Sequence, residues 1–149
     1  MVLAARSARF GVAYPQLGTS SDGGLSWPQR LRLRLAAEAR LAPLPWPLDV
    51  AVLGMGEDAH TASLFPGAPG YARAIATDQR LAWVVPDTAP HARISFTLSA
   101  LLASRELLLA IAGESKLAVY WQAAAARDEA LPISLVLHQD QTPVSVWIG

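Results

Sequence analysis

The sequence contains no cysteine and no surplus of charge of either sign. Its 149 residues include 12 basic and 12 acidic side chains, and charged residues make up only 16% of the chain. The absence of cysteine excludes a disulfide scaffold, thiol catalysis and cysteine-ligated zinc. Nucleic-acid binders gather a surplus of Lys and Arg on one face, and this composition provides none. We therefore expect no nucleic-acid partner.

Long hydrophobic runs are also missing. The longest apolar stretch, around Leu107 to Ala112, is far shorter than the roughly 20 residues of a membrane helix. The N-terminus lacks the apolar core of a signal peptide. We expect a cytoplasmic protein with no membrane partner. With 52% hydrophobic residues, the chain can form the core of one domain without disulfides or a structural metal.

Lysine is almost absent too. Eleven of the basic residues are Arg and only Lys116 is Lys, while Ala and Leu together make up about a third of the chain. This composition indicates a GC-rich coding bias, which replaces Lys by Arg wherever either serves. Lys116 is therefore a candidate for a role that requires an ammonium group.

Beyond residue 25 the chain alternates between helix-like and strand-like segments. Residues 1–25 show no sustained period, so we predict an irregular N-terminal segment. A helix is predicted from Ser26 to the prolines at 43–47, with Leu31, Leu35 and Ala39 on one face. Further helices are predicted at 97–104 and 114–127, and buried strands at 48–53, 81–85, 106–112 and 144–148. We expect residues 26–149 to form a single α/β domain with a mostly parallel sheet flanked by helices.

The segment after the first predicted strand carries the residues with the clearest chemistry. Ligands of open parallel sheets bind beyond the carboxyl ends of the strands. Here Gly54, Met55 and Gly56 let the backbone turn sharply and bring its N–H groups near a ligand. Asp58 is predicted to cap a short helix that carries His60. An imidazole there can accept a proton at neutral pH.

The same segment matches the dinucleotide-binding fingerprint in its Gly/Ala form, through Gly54, Gly56 and Ala59. That fingerprint requires a full-length helix after it. Because Pro66-Gly67 end the segment after about two helical turns, dinucleotide binding is disfavoured.

The whole run from Leu53 to Gly67 closely resembles the signature of 6-phosphogluconolactonases, Leu-Gly-Met-Gly-x-Asp-Gly-His-Thr-Ala-Ser-Leu-Phe-Pro-Gly. All but one of the fixed positions match. The resemblance implies a Rossmann-like fold, with His60 as the catalytic histidine and Asp58 as its accompanying acid. The departure is Ala59, where the family has glycine. If that position requires a positive φ, alanine strains the loop by roughly 1 kcal/mol or more.

Two further elements extend the resemblance downstream. Residues 90–98 resemble the family's Pro-x-x-Arg-Ile-Thr-Leu-Thr-Leu stretch, and residues 113–116 its Gly-x-x-Lys element. The resemblance implies that Arg93 and Lys116 lie at the sugar-phosphate end of the site. A guanidinium and an ammonium near a helix N-terminus can together hold a phosphate dianion. We assign no functional role to His91 or His138.

The implied activity is hydrolysis of 6-phospho-D-glucono-1,5-lactone to 6-phosphogluconate in the pentose phosphate pathway. In it His60 is the general base, backbone N–H groups around Gly54, Met55 and Gly56 stabilise the oxyanion, and no metal or cofactor is required. The substrate is a small sugar-phosphate lactone.

Two alternatives stay open. The isomerase and deaminase branch of the superfamily carries an Asn-Glu pair shortly after the histidine, where this sequence has Leu64-Phe65 and no carboxylate. The other alternative is a catalytically impaired remnant, or a sugar-phosphate-binding fragment that needs a partner chain.

That second alternative follows from what the N-terminus lacks. The resemblance extends from about Leu35 to Gly149, the C-terminal portion of a family member. The family's first strand–helix units, its Gly-rich phosphate loop and an Asp-Glu-Arg element have no counterpart before Leu25. We expect a natural truncation, a shifted start or a fragment of a longer chain. A parallel sheet without its first strands exposes an apolar edge, so we expect either a homodimer or limited stability.

Overall fold

The computed structural model describes residues 2–4, 11–12, 26–87 and 92–149. Within these ranges there are five helices: α1 Trp27–Leu41, α2 Tyr71–Ala76, α3 Leu98–Leu102, α4 Glu114–Ala125 and α5 Pro132–Leu137. The strands are β1 Val2–Ala4, β2 Gly11–Val12, β3 Val50–Gly54, β4 Leu81–Val84, β5 Arg93–Phe96, β6 Leu107–Ile111 and β7 Val144–Ile148. None of the helices in the described ranges has the length and apolarity needed to cross a membrane.

Three parallel strands form the centre of the fold. The main sheet has the order β2-β1-β3-β6-β7, in which β3, β6 and β7 run parallel. In the register of the first pair, Gly54 lies opposite Ala110, so β3 and β6 end side by side. The predicted α/β class, with a parallel sheet flanked by helices, is confirmed.

One hydrophobic core joins this sheet to the helices. Its fully buried side chains include Leu53 of β3, Leu109 of β6, Leu101 of α3 and Ile133 of α5. Burial of a Leu or Ile side chain stabilises a fold by about 1.5–3 kcal/mol. The short apolar strands therefore gain their stability from packing on both neighbouring strands and helices rather than from length.

The N-terminal segment differs in part from expectation. Five of the residues predicted to be irregular form β1 and β2, and β1 pairs antiparallel with β3. The backbone N–H and C=O groups along the free edge of β3 can pair with any extended segment, whatever its side-chain pattern. The remainder of the segment, residues 1, 5–10 and 13–25, lies outside the described part of the chain.

The strand predicted at 81–85 does not join the parallel sheet. It forms β4 and pairs antiparallel with β5 in a separate two-stranded sheet, with Val84 opposite Arg93. An apolar run predicts a buried strand but does not identify its partner. The short elements β5, α2 and α5 were not predicted from the sequence.

Helix α1 packs through a different face from the one suggested by Leu31, Leu35 and Ala39. Leu33, Ala37 and Leu41 contact the core, whereas Leu35 is 52% exposed. Both sets have helical spacing in this Arg-Leu alternation, so periodicity alone could not choose between them. On the same helix Arg34 and Glu38 form an i,i+4 ion pair, with Arg34 Nη1 3.0 Å from Glu38 Oε1.

Candidate active site

The chain beyond β3 turns back on itself without forming a helix. The short helix predicted to start at Asp58 is absent, and that prediction is wrong. Ala59 and Ala62 have φ angles of 61° and 52°, which a right-handed helix cannot contain. Asp58 instead accepts the backbone N–H of His60 at 3.2 Å. We call residues 55–67 the His60 loop.

Ala59 holds the positive φ that the family glycine suggested. Its N–H donates to the Gly56 carbonyl at 3.1 Å, and its own carbonyl accepts the Ile133 N–H of α5 at 3.0 Å. The methyl group is fully buried. Because both backbone groups have partners, the neighbouring elements hold this residue in the left-handed region despite a cost of about 1–2 kcal/mol.

Buried hydroxyl groups fix the loop from below. Thr61 Oγ1 donates to the Gly54 carbonyl at 2.9 Å, which ties the loop back to the end of β3. The Ser63 N–H donates to Ser95 Oγ of β5 at 3.1 Å, and that hydroxyl donates to the Phe96 carbonyl. Each bond satisfies a buried polar group, so the loop has a single well-defined conformation.

The imidazole of His60 is held by a hydrogen bond in the plane of the ring and by a stacked aromatic ring on one face. Nδ1 lies 2.5 Å from Asp58 Oδ1, and the Phe65 ring is stacked on the imidazole with centroids 4.1 Å apart. An ionised Asp58 accepts the Nδ1 proton, and this tautomer leaves the lone pair on Nε2. His60 is thereby prepared to take a proton from a ligand.

The charge of Asp58 is itself stabilised by this contact. Burial raises the pKa of Asp58, but hydrogen bonds from the His60 ring and backbone outweigh burial and hold the pKa below its ordinary value of 3.8. The pair therefore stabilises the fold above that pH, and the contribution is lost as the pH falls through the lowered pKa.

A cleft opens where β3 and β6 end. It has a volume of about 370 Å³, the size of a small-molecule site. From the β3 side it is lined by Gly54, Met55, Gly56, His60 and Ala62, and from the β6 side by Ala110, Ile111, Ala112 and Lys116. The cleft thus combines an imidazole, a sharply turned backbone and an ammonium group.

Most residues predicted from the sequence meet in this cleft. Asp58 does not line the cleft, but it contacts the lining residue His60. Arg93, at the start of β5, is not among the lining residues, and its Cζ lies 5.2 Å from the centroid of the Phe65 ring. His138 Nε2 lies 3.0 Å from the Ala123 carbonyl, a contact between helices α4 and α5. His91 lies outside the described residues.

Several residues around the site were missed by sequence reasoning. Phe65 stacks on the His60 ring, Ser95 accepts a hydrogen bond from the loop, and Ala110 and Ala112 line the cleft. Ala110 and Ala112 could have been found only if the pairing of β3 with β6 had been known, and the sequence alone does not reveal that pairing. Phe65 belongs to the matched signature, but the sequence alone did not indicate that its ring packs on the imidazole of His60.

The fold and the cleft define a class, the α/β proteins that bind small molecules at the carboxyl ends of parallel strands. Within this class the comparison with known families is decisive. Residues 27–147 match the family model described as glucosamine-6-phosphate isomerases/6-phosphogluconolactonase. The chain belongs to this family.

Individual relatives agree with the family assignment. A 6-phosphogluconolactonase of Neisseria meningitidis serogroup A is 50% identical over 92 residues, which are 60% of this chain and 40% of the relative. One from Mesorhizobium japonicum is 36% identical over 146 residues, which are 97% of this chain and 57% of the relative. The crystal structure of a 6-phosphogluconolactonase from Shewanella baltica matches with a TM-score of 0.75 and 44% identity, over 80% of this chain and 51% of that chain. The chain therefore spans about half the length of the relatives it matches.

Two glycines of the loop provide a test of how His60 is placed. A Cβ on Gly56 would lie 2.2 Å from His60 Nδ1, whereas a Cβ on Gly54 meets nothing within 4 Å. Gly56→Ala should therefore displace the imidazole from Asp58 and shift the His60 ring resonances in ¹H–¹³C NMR spectra. Gly54→Ala is the matched control and should leave those resonances close to wild type. Equal spectra for both variants would contradict the packing described for Gly56.

Ala59 provides a second test, of strain. Ala59→Gly relieves about 1–2 kcal/mol of left-handed strain but loses a buried methyl worth about 0.8 kcal/mol and adds roughly 0.4–1 kcal/mol of unfolded-state entropy. We expect the free energy of unfolding to change by less than about 1 kcal/mol. Ala59→Val should destabilise by more than about 2 kcal/mol, because a β-branched residue at positive φ is strained and the site is full. Urea denaturation measures both, and equal effects would refute the argument.

Proposed function

We propose that the protein hydrolyses 6-phospho-D-glucono-1,5-lactone to 6-phosphogluconate, a step of the pentose phosphate pathway. The observation that carries the proposal is the Asp58-oriented His60 in a cleft that also contains Lys116. Membership of the family and the names of the relatives support the same reaction.

In the proposed mechanism, His60 Nε2 takes a proton from the water that attacks the lactone carbonyl carbon. Backbone N–H groups near Gly54, Met55 and Gly56 stabilise the oxyanion that develops on the carbonyl oxygen. The tetrahedral intermediate then breaks its bond to the ring oxygen, which receives the proton from Nε2 and becomes a hydroxyl group. The product acid ionises to the carboxylate. A general base contributes about 10²–10⁴ in rate and an oxyanion donor about 10²–10³.

The phosphate end of the substrate is assigned to Lys116, with Arg93 as its partner. Lys116 lies in the first turn of α4, where the helix dipole and the ammonium both attract an anion. Arg93 lies beyond Phe65 and outside the lining of the cleft, so its guanidinium has to approach the phosphate past that ring.

The isomerase or deaminase reaction is less well supported. That branch needs a carboxylate shortly after the histidine, and here Leu64 is fully buried while Phe65 stacks on the imidazole. Neither side chain can shuttle a proton. The remaining alternative, a sugar-phosphate-binding remnant, differs from the lactonase in binding without turnover.

His60→Ala tests the mechanism. Lactone hydrolysis, followed as acid release in a pH-stat with spontaneous hydrolysis subtracted, should fall by about 10²–10⁴. The matched control is His138→Gln, which replaces a histidine remote from the cleft and should retain wild-type turnover. Calorimetric binding of 6-phosphogluconate without any wild-type turnover would contradict the lactonase and support the remnant.

A homodimer is proposed for the assembled protein. In the described sheet β7 is an edge strand, and it leaves Trp147 and Ile148 65% and 54% exposed. Apolar side chains on a free edge favour pairing with a second copy. Light scattering of the purified chain should give twice the mass of one chain, and Trp147→Lys should give a monomer. A monomeric wild-type protein would overturn this proposal.

A further inference from the structure

The imidazole and the ammonium group of the proposed site lie beyond the ends of two different strands. His60 belongs to the His60 loop beyond β3, and Lys116 belongs to the first turn of α4 beyond β6. Between them Ser115 Oγ donates a hydrogen bond of 2.8 Å to Glu57 Oε1. Within the described residues, this is the side-chain hydrogen bond that connects the His60 loop with α4.

Glu57 and Ser115 are sequence neighbours of the residues that place the imidazole and the ammonium group. Glu57 lies between Gly56 and Asp58, the two residues that confine the imidazole. Ser115 directly precedes Lys116. A change in the Glu57–Ser115 distance therefore changes the separation between the imidazole and the ammonium group.

The strand pairing does not fix that separation by itself. Helix α4 begins after Gly113, whose φ of 94° and ψ of 147° belong to a region that glycine adopts and other residues avoid. The Gly113 carbonyl accepts the Leu117 N–H at 3.1 Å, a bond within α4 that does not reach the loop beyond β3. The hydrogen bond from Ser115 to Glu57 adds a direct restraint between the first turn of α4 and that loop.

We propose that Glu57 is a positioning residue which, through Ser115, sets the separation of His60 and Lys116 and makes the site selective for a phosphorylated lactone. The inference rests on the proposed function. It goes beyond the family signature, because Glu57 and Ser115 stand at positions that the two motifs leave variable. The selectivity arises because a phosphorylated substrate must reach both groups at once, whereas an unphosphorylated lactone needs only His60.

The test compares kcat/KM for 6-phospho-D-glucono-1,5-lactone with kcat/KM for unphosphorylated D-glucono-1,5-lactone. Glu57→Ala and Ser115→Ala should each lower the ratio of the two values by about three- to tenfold. The double variant should be no worse than either single one, because both remove the same bond. Glu57→Gln keeps an oxygen acceptor for Ser115 and should retain a ratio close to wild type.

Glu114→Ala is the matched control for charge. It removes a carboxylate from the same turn of α4 without touching the Glu57–Ser115 bond. Its ratio should change by less than about twofold, as expected for an exposed charge. Equal losses on both lactones, no loss in Glu57→Ala, or a Gln variant that behaves like Ala would each overturn the proposal.

A second measurement does not depend on turnover. Titration with inorganic phosphate, followed by backbone amide NMR, should shift the amides of Asp58 and His60 in the wild type. In Glu57→Ala the shifts should be confined to the first turn of α4. This pattern without lactone turnover would refute the proposed function and retain the positioning role. If the Asp58 and His60 amides still shift in Glu57→Ala, or if those of the wild type do not respond to phosphate, the positioning role is refuted.

Discussion

The parallel pairing of β3 with β6 is the constraint on which the cleft depends. It places Gly54 opposite Ala110, so the His60 loop and the first turn of α4 start from neighbouring points. The register is fixed by burial, since Leu53 and Leu109 both point into the core and a slip by one residue would turn one of them out. The geometry of the site is therefore set by the same side chains that stabilise the domain.

The His60 loop is held in this arrangement by hydrogen bonds to its neighbours. Four neighbouring elements hold it through one hydrogen bond each: β3 at the Gly54 carbonyl, β5 at Ser95, α4 at Ser115 and α5 at the Ile133 N–H. With so many partners the loop can keep Ala59 in a conformation that costs energy. The strained residue, Ala59, directly precedes His60 in the chain. Hydrogen bonds to neighbouring elements hold the loop around it.

The sequence predicted the elements that are marked by an apolar run or by a sustained helical period. Strands β3, β6 and β7 and helices α1 and α4 could be predicted, because each shows an apolar run or a helical period over enough residues. The loop could not, because a left-handed Ala and a hydrogen bond from the His60 N–H to Asp58 Oδ1 are compatible with the same sequence as a capped helix. The matched signature named the chemistry of the site, but its shape came from contacts with distant elements.

The structure also separates two reasons for glycine within the signature. At position 56 the reason is steric, because a Cβ would overlap the His60 ring and Asp58 Oδ1. At position 59 the reason is conformational: the backbone needs a positive φ, yet a methyl group fits in the buried space. A conformational requirement costs a non-glycine residue about 1–2 kcal/mol, whereas a Cβ that overlaps the imidazole displaces the His60 ring itself. The chain has accordingly kept glycine at 56 and replaced it at 59, so the one departure from the signature falls where the physical penalty is bounded and the histidine stays in place.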